Sequence, residues 1–145
     1  MITNERRYSI TRAELRRFEE AAAEQQRREP VDGIDPRIEK ALVDGLLGQG
    51  ETLREEVKRH EDLREGHVSH REIDGLRDLP TALIEARIAA GLTQKALAQR
   101  LEVAEQQVQR READLYSGVG VDRLQEVADA LGMAVRETVS HSVPV

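Results

Sequence analysis

The chain has 145 residues and a formal charge of −6, with 39% hydrophobic and 2% aromatic residues. That length holds one ordinary domain, or a small domain plus an extension. With Tyr8, Phe18 and Tyr116 as the only aromatics, a base-stacking platform for single-stranded nucleic acid is excluded, and the absence of cysteine excludes disulfides, thiolate metal sites and a cysteine nucleophile. No apolar run approaches the roughly 18 residues of a membrane span. The opening stretch MITNERRYSI is too polar for a secretory signal, so the expected location is the cytoplasm and no membrane partner is expected.

Taken in order, Thr11 and Glu14 have capping-box spacing, which predicts a helix starting at Thr11 with Leu15, Phe18 and Ala22 on one side. Residues 29–36, EPVDGIDP, carry turn chemistry, and Asp35 followed by Pro36 reads as an N-cap and first helical residue. From Pro36 to about Glu65 a second helical stretch places Ile38, Leu42, Leu46, Leu53 and Val57 on or near one face. Gly45, Gly48 and Gly50 leave open whether this stretch is one helix or two, because each costs about 1 kcal/mol in a helix interior. Such a thin element cannot bury its own apolar stripe and is expected to pack against a second copy, the downstream domain or a partner protein.

Residues 66–78 lose the helical period and read as a linker. Beyond them come short helices at 80–90, ended by Gly91; at 93–101, capped by Thr93; at 104–115; and at 121–131, ended by Gly132. A last turn or two is expected from Val135. The expected fold class is all-α: a five-helix domain over 79–145, preceded by a helical extension over 1–65 and the linker.

The segment Gly91 to Glu112, GLTQKALAQRLEVAEQQVQRRE, has the construction of a helix-turn-helix. Ala98 lets the second helix cross closely, and Leu97, Leu101, Val103 and Val108 close the angle. The ordered set ARIAAGLTQKALAQRL, VQRRE and LQEVADALGM resembles the Xre/Cro-type domain from about Leu79 to Val139. The resemblance implies a double-stranded DNA partner. Gln94 would hold a phosphate with its amide, Lys95 and Arg100 would lie beside the backbone, and Glu105, Gln106, Gln107 and Arg110 would face base edges in the major groove. It also implies that Arg87 and Glu112 form a structural ion pair. Three positions depart from the family pattern. Glu102 replaces a turn glycine, Ala104 replaces a hydroxyl cap, and Arg111 replaces an apolar residue, where its stem is expected to cover apolar surface while its head stays hydrated.

The resemblance further implies a dimer repressing its own operon, with a toxin or a protease as protein partner; a HigA-like antitoxin is one version. The alternative is an interaction scaffold that has lost DNA binding, motivated by nine acidic against seven basic residues over 79–145. The polar row Glu105, Gln106, Gln107, Gln109 and Arg110 has a solvated helix face as its second reading. His67 and His70 have a metal-ligand spacing but no third ligand, and the serines lack a partnering histidine, so no cofactor, metal site or catalytic residue is expected.

Overall fold

The structure, a computed structural model, describes residues 1–142; the last three residues of the expected 79–145 domain lie outside the described residues. Contacts divide the chain into two units, Met1–Asp62 and Leu63 onward.

In the first unit, helix α1 spans Glu5–Arg27. It begins six residues before the expected start at Thr11, because Asn4 is the cap: its side chain accepts from the Arg7 N–H at 2.9 Å. Thr11 is instead buried inside the helix. Asp35 accepts from the Arg37 N–H at 2.9 Å and starts helix α2, Pro36–Arg64, which runs unbroken through Gly45, Gly48 and Gly50 for 29 residues, or about 43 Å. Two seams with alternating three- and four-residue spacing explain why the glycines do not break it. On α1, Tyr8, Thr11, Leu15, Phe18 and Ala22 are buried or half-buried; on α2, Val43, Leu46, Gly50, Leu53, Val57 and His60 are. Tyr8 meets His60 with ring centroids 5.1 Å apart, and Leu15 and Phe18 close on Gly50, so α1 and α2 run antiparallel. Gly50 is thus the small residue opposite two large ones. Ile38 and Leu42, expected on the buried stripe, remain exposed.

The second unit holds a short 3-10 turn, Leu76–Asp78, then helices α3 (Leu79–Ala89), α4 (Gln94–Arg100), α5 (Glu105–Ala113) and α6 (Val121–Leu131). Its core is Leu83, Ile84, Ile88, Leu97, Ala98, Val108, Tyr116, Val127 and Ala128, with Val68 and Ile73 of the 66–78 segment packed against it. The class is all-α among the described residues. The helical turn expected from Val135 does not form: residues 133–142 have no regular structure, so among the described residues the unit has four α-helices rather than five. Gly132 is left-handed, and the Met133 N–H bonds the Ala128 carbonyl at 2.9 Å, which closes α6 with a Schellman turn.

Candidate nucleic-acid interface

The geometry of the site is set by how each helix stops. Gly91 is left-handed at the end of α3, with the Leu92 N–H bonded to the Arg87 carbonyl at 3.1 Å. Thr93 then caps α4, accepting from the Ala96 N–H at 3.0 Å. At the end of α4 the Glu102 N–H bonds Gln99 at 3.3 Å and the Val103 N–H bonds Ala98 at 3.0 Å, a Schellman turn with Glu102 in the left-handed position at φ 53°. This is the turn of the helix-turn-helix, and Glu102 performs the task that glycine does at Gly91. Ala104 starts α5 with no side-chain cap. Leu97, Ala98 and Val108 are buried where α4 and α5 pack together.

On the side of α5 away from Gln106, Gln107 and Arg110 lies a charged network. Glu112 of α5, 1% exposed, takes both arms of Arg87 of α3, 3% exposed: Nε to Oε1 at 2.6 Å and Nη2 to Oε2 at 2.7 Å. Arg87 also donates to the Leu92 carbonyl at 2.7 Å, and the Gln94 amide donates to Glu112 Oε2 at 2.7 Å. Three helices are thus tied at one carboxylate. The fork geometry satisfies both carboxylate oxygens, which is what permits an ion pair to sit dry. Burial, reinforced by the negative charge of Glu112, pushes the Tyr116 hydroxyl up to about 12.

The residues singled out from the sequence separate into two sets. Gln106, Gln107 and Arg110 project from α5 into solvent, and none of the three makes a side-chain hydrogen bond or ion pair among the described residues; Lys95 on α4 is likewise exposed and unpartnered. Glu105 is exposed but accepts from Gln109 at 3.0 Å, a pairing one turn along the same helix. The other two are built into the fold. Gln94 is buried with its amide engaged by Glu112, and Arg100 donates to the Ala130 carbonyl at 2.9 Å, covering the open end of α6.

Arg111 differs from the expectation of a fully hydrated head: its Nη1 is buried and has no hydrogen-bond partner. It lies between the exposed face of α5 and the loop that follows, where Leu115 and Tyr116 are both left-handed at φ 48° and 53°. The loop closes over α5 because Leu115 occupies the left-handed position and the Tyr116 N–H bonds back to the Arg111 carbonyl at 2.6 Å. Sequence reasoning missed this closure, since neither leucine nor tyrosine signals a left-handed backbone.

The exposed amide-and-guanidinium row on α5 can donate and accept in the plane of a base edge, and the buried fork keeps the helix bearing it fixed to its neighbours. No curated protein and no solved structure matches the chain. Residues 83–137, from within α3 to beyond α6, match the Helix-turn-helix family model.

Proposed function

We propose that this chain is a sequence-specific regulator of transcription that binds double-stranded DNA through α5. The observation that carries the reading is the row Gln106, Gln107 and Arg110. These side chains are exposed and unpartnered on a helix whose opposite side is held by the Arg87–Glu112–Gln94 network. Glutamine suits adenine N6 and N7, arginine suits guanine O6 and N7, and a good bidentate pair discriminates by roughly 1–3 kcal/mol. Lys95 serves the phosphate backbone. With Gln94 buried and Arg100 holding the end of α6 with one arm, base reading falls on α5 and phosphate contact near it on few groups, so a single copy binds modestly. We infer that the protein acts as a dimer reading two half-sites about 34 Å apart and repressing its own operon.

The α1–α2 hairpin is the element available to a protein partner, because Ile38, Leu42 and Leu47 stay exposed at 64%, 52% and 42%. A toxin whose activity the chain would restrain is the partner class we favour. Charge substitutions Ile38→Glu and Leu42→Glu should release such a partner while leaving DNA binding intact.

The test of the main reading is a binding assay on duplexes from the region upstream of the reading frame. Gln106→Ala with Arg110→Ala should lower affinity for the selected duplex at least tenfold and bring it toward that for scrambled DNA. Equal binding by the wild type and this variant would remove α5 as the reading element. A salt titration separates the interaction-scaffold alternative: DNA affinity falls steeply as phosphate contacts are screened, whereas an apolar protein contact does not.

A further inference from the structure

The cations of the first unit fall into two groups. Most are engaged: Arg54 bridges Glu19 at 2.8 Å and Glu51, Lys40 pairs with Asp44 at 2.8 Å, Lys58 pairs with Asp62 at 2.6 Å, Arg27 and Arg28 share Glu24, and Arg12 lies 5.7 Å from the centre of the Tyr8 ring. Arg6, Arg7, Arg16 and Arg17, all on α1, are exposed, and their guanidinium groups have no carboxylate, carbonyl or ring partner among the described residues. Residues 5–17 hold five arginines against Glu5 and Glu14, a local positive excess in a molecule that is negative overall.

The placement is ordered along the helix. Arg6 and Arg17 stand three turns apart on one line of α1, about 16 Å along the axis, with Arg7 and Arg16 flanking that line on opposite sides and Ala13 between them. Each guanidinium is a rigid fork matched to a phosphate or carboxylate. A nucleic-acid strand carries one charge per roughly 3.4 Å of helix axis, so this span faces about five successive phosphates.

We propose that the side of α1 bearing Arg6 and Arg17, with Arg7 and Arg16 about a quarter turn to either side, is a second, sequence-independent contact with the phosphate backbone of duplex DNA. The proposal rests on the DNA-binding reading of α5 and adds to it the term that the second unit supplies sparsely. There Lys95 and Arg110 are the unpartnered cations beside the proposed reading face, while Arg87 is buried in the fork and the exposed Arg100 has one arm on the Ala130 carbonyl. Because one chain carries both surfaces, the second contact forms at the effective concentration set by the connection rather than from bulk solution. An acidic protein or an anionic lipid surface offers the same charge, but neither brings a duplex to the chain first.

The test uses the full-length protein and a fluorescein-labelled 40-base-pair duplex of mixed sequence, with anisotropy titrations from 50 to 200 mM salt. Each phosphate contact contributes about 0.9 to the slope of log affinity against log salt. Replacing Arg6, Arg7, Arg16 and Arg17 by alanine should therefore lower the slope by about two or more, and the affinity advantage of the wild type should shrink roughly tenfold or more across that range. Glu14→Lys with Glu20→Lys, exposed on the same helix, should raise the slope by one to two; a gain of binding cannot come from misfolding. A wild-type slope in the four-arginine variant, while Gln106→Ala with Arg110→Ala loses affinity, overturns this proposal and leaves the α5 reading standing. Absence of duplex binding by the wild type overturns the α5 reading itself. Loss of binding to poly-glutamate or to phosphatidylserine vesicles with DNA binding unchanged also overturns the proposal, and assigns the face to those ligands.

Discussion

Glu112→Ala is the perturbation that most directly probes the buried fork. The carboxylate accepts three hydrogen bonds, two from Arg87 and one from Gln94, and both members of the ion pair are sealed from water. Removing it strips a buried guanidinium of both bonds of the fork, and the Gln94 amide of its bond to the carboxylate. Breaking a buried pair in this way costs about 3–5 kcal/mol. Domains of this size are stable by about 5–15 kcal/mol, so the second unit should approach its unfolding threshold, with a Tm lowered by more than about 12 °C. Arg87→Met with Glu112→Leu removes both charges together and should cost less than either single loss, because neither charge is left buried without its counterion. Urea denaturation followed by circular dichroism, with hydrogen exchange of the α4 and α5 amides to isolate the second unit, measures both. A cost for Glu112→Ala below about 1 kcal/mol, or additive single and double losses, would refute the argument that the three helices are tied at this carboxylate.

The remaining predictions concern backbone and proton. Glu102→Gly should stabilise the second unit by about 1 kcal/mol, since the turn between α4 and α5 holds a non-glycine residue at φ 53° with its side chain exposed; the midpoint of urea denaturation reads it. Gly48→Ala should raise hairpin stability by about 1 kcal/mol, because a Cβ there meets nothing within 4 Å; Gly50→Ala should gain a similar amount, its Cβ making ordinary contact with Phe18 at 3.7 Å and Leu15 at 3.8 Å. With the Tyr116 hydroxyl at about 12 in the folded state against 10.0 when unfolded, its stabilising contribution is complete below pH 10 and is lost as pH rises through 12, by at most about 1.4 kcal/mol per pH unit. Absorbance titration at 295 nm should show a late ionisation that Tyr116→Phe abolishes.

Where local chemistry and tertiary packing agreed, the fold was legible in the residues themselves. Thr93, Gly91 and Gly132 occupy the caps that their chemistry favours, and Asp35 with Pro36 starts α2. Thr11 misled because a hydroxyl followed by a carboxylate is a local signal, while the seam from Tyr8 through Leu15 and Ala22 continues the helix past it; burying that seam outweighs the cap. The glycines of α2 were ambiguous for the opposite reason. Their penalty is visible in the sequence, but the packing of Gly50 between Leu15 and Phe18 depends on residues more than thirty positions away. Val135 offered apolar residues without a cap, and the chain does not form a helix there.

The site was legible in outline and not in its assignments, and the reason is one of sequence distance. A row of exposed side chains on α5 follows from helical period alone, so Gln106, Gln107 and Arg110 could be placed from spacing. The Arg87–Glu112 pair was implied by the resemblance and is present, but that Gln94 joins it across 18 residues depends on a carboxylate buried on another helix. A carboxylate buried at 1% exposure must gather donors from wherever they can reach, and Gln94, one turn beyond the end of α3, is in reach. The same requirement fixes α5 against α3 and α4, so the Gln94 amide becomes part of what holds α5 in place. Arg111 is the counterpart: its Nη1 is buried without an acceptor, beside a loop held in left-handed torsions at Leu115 and Tyr116.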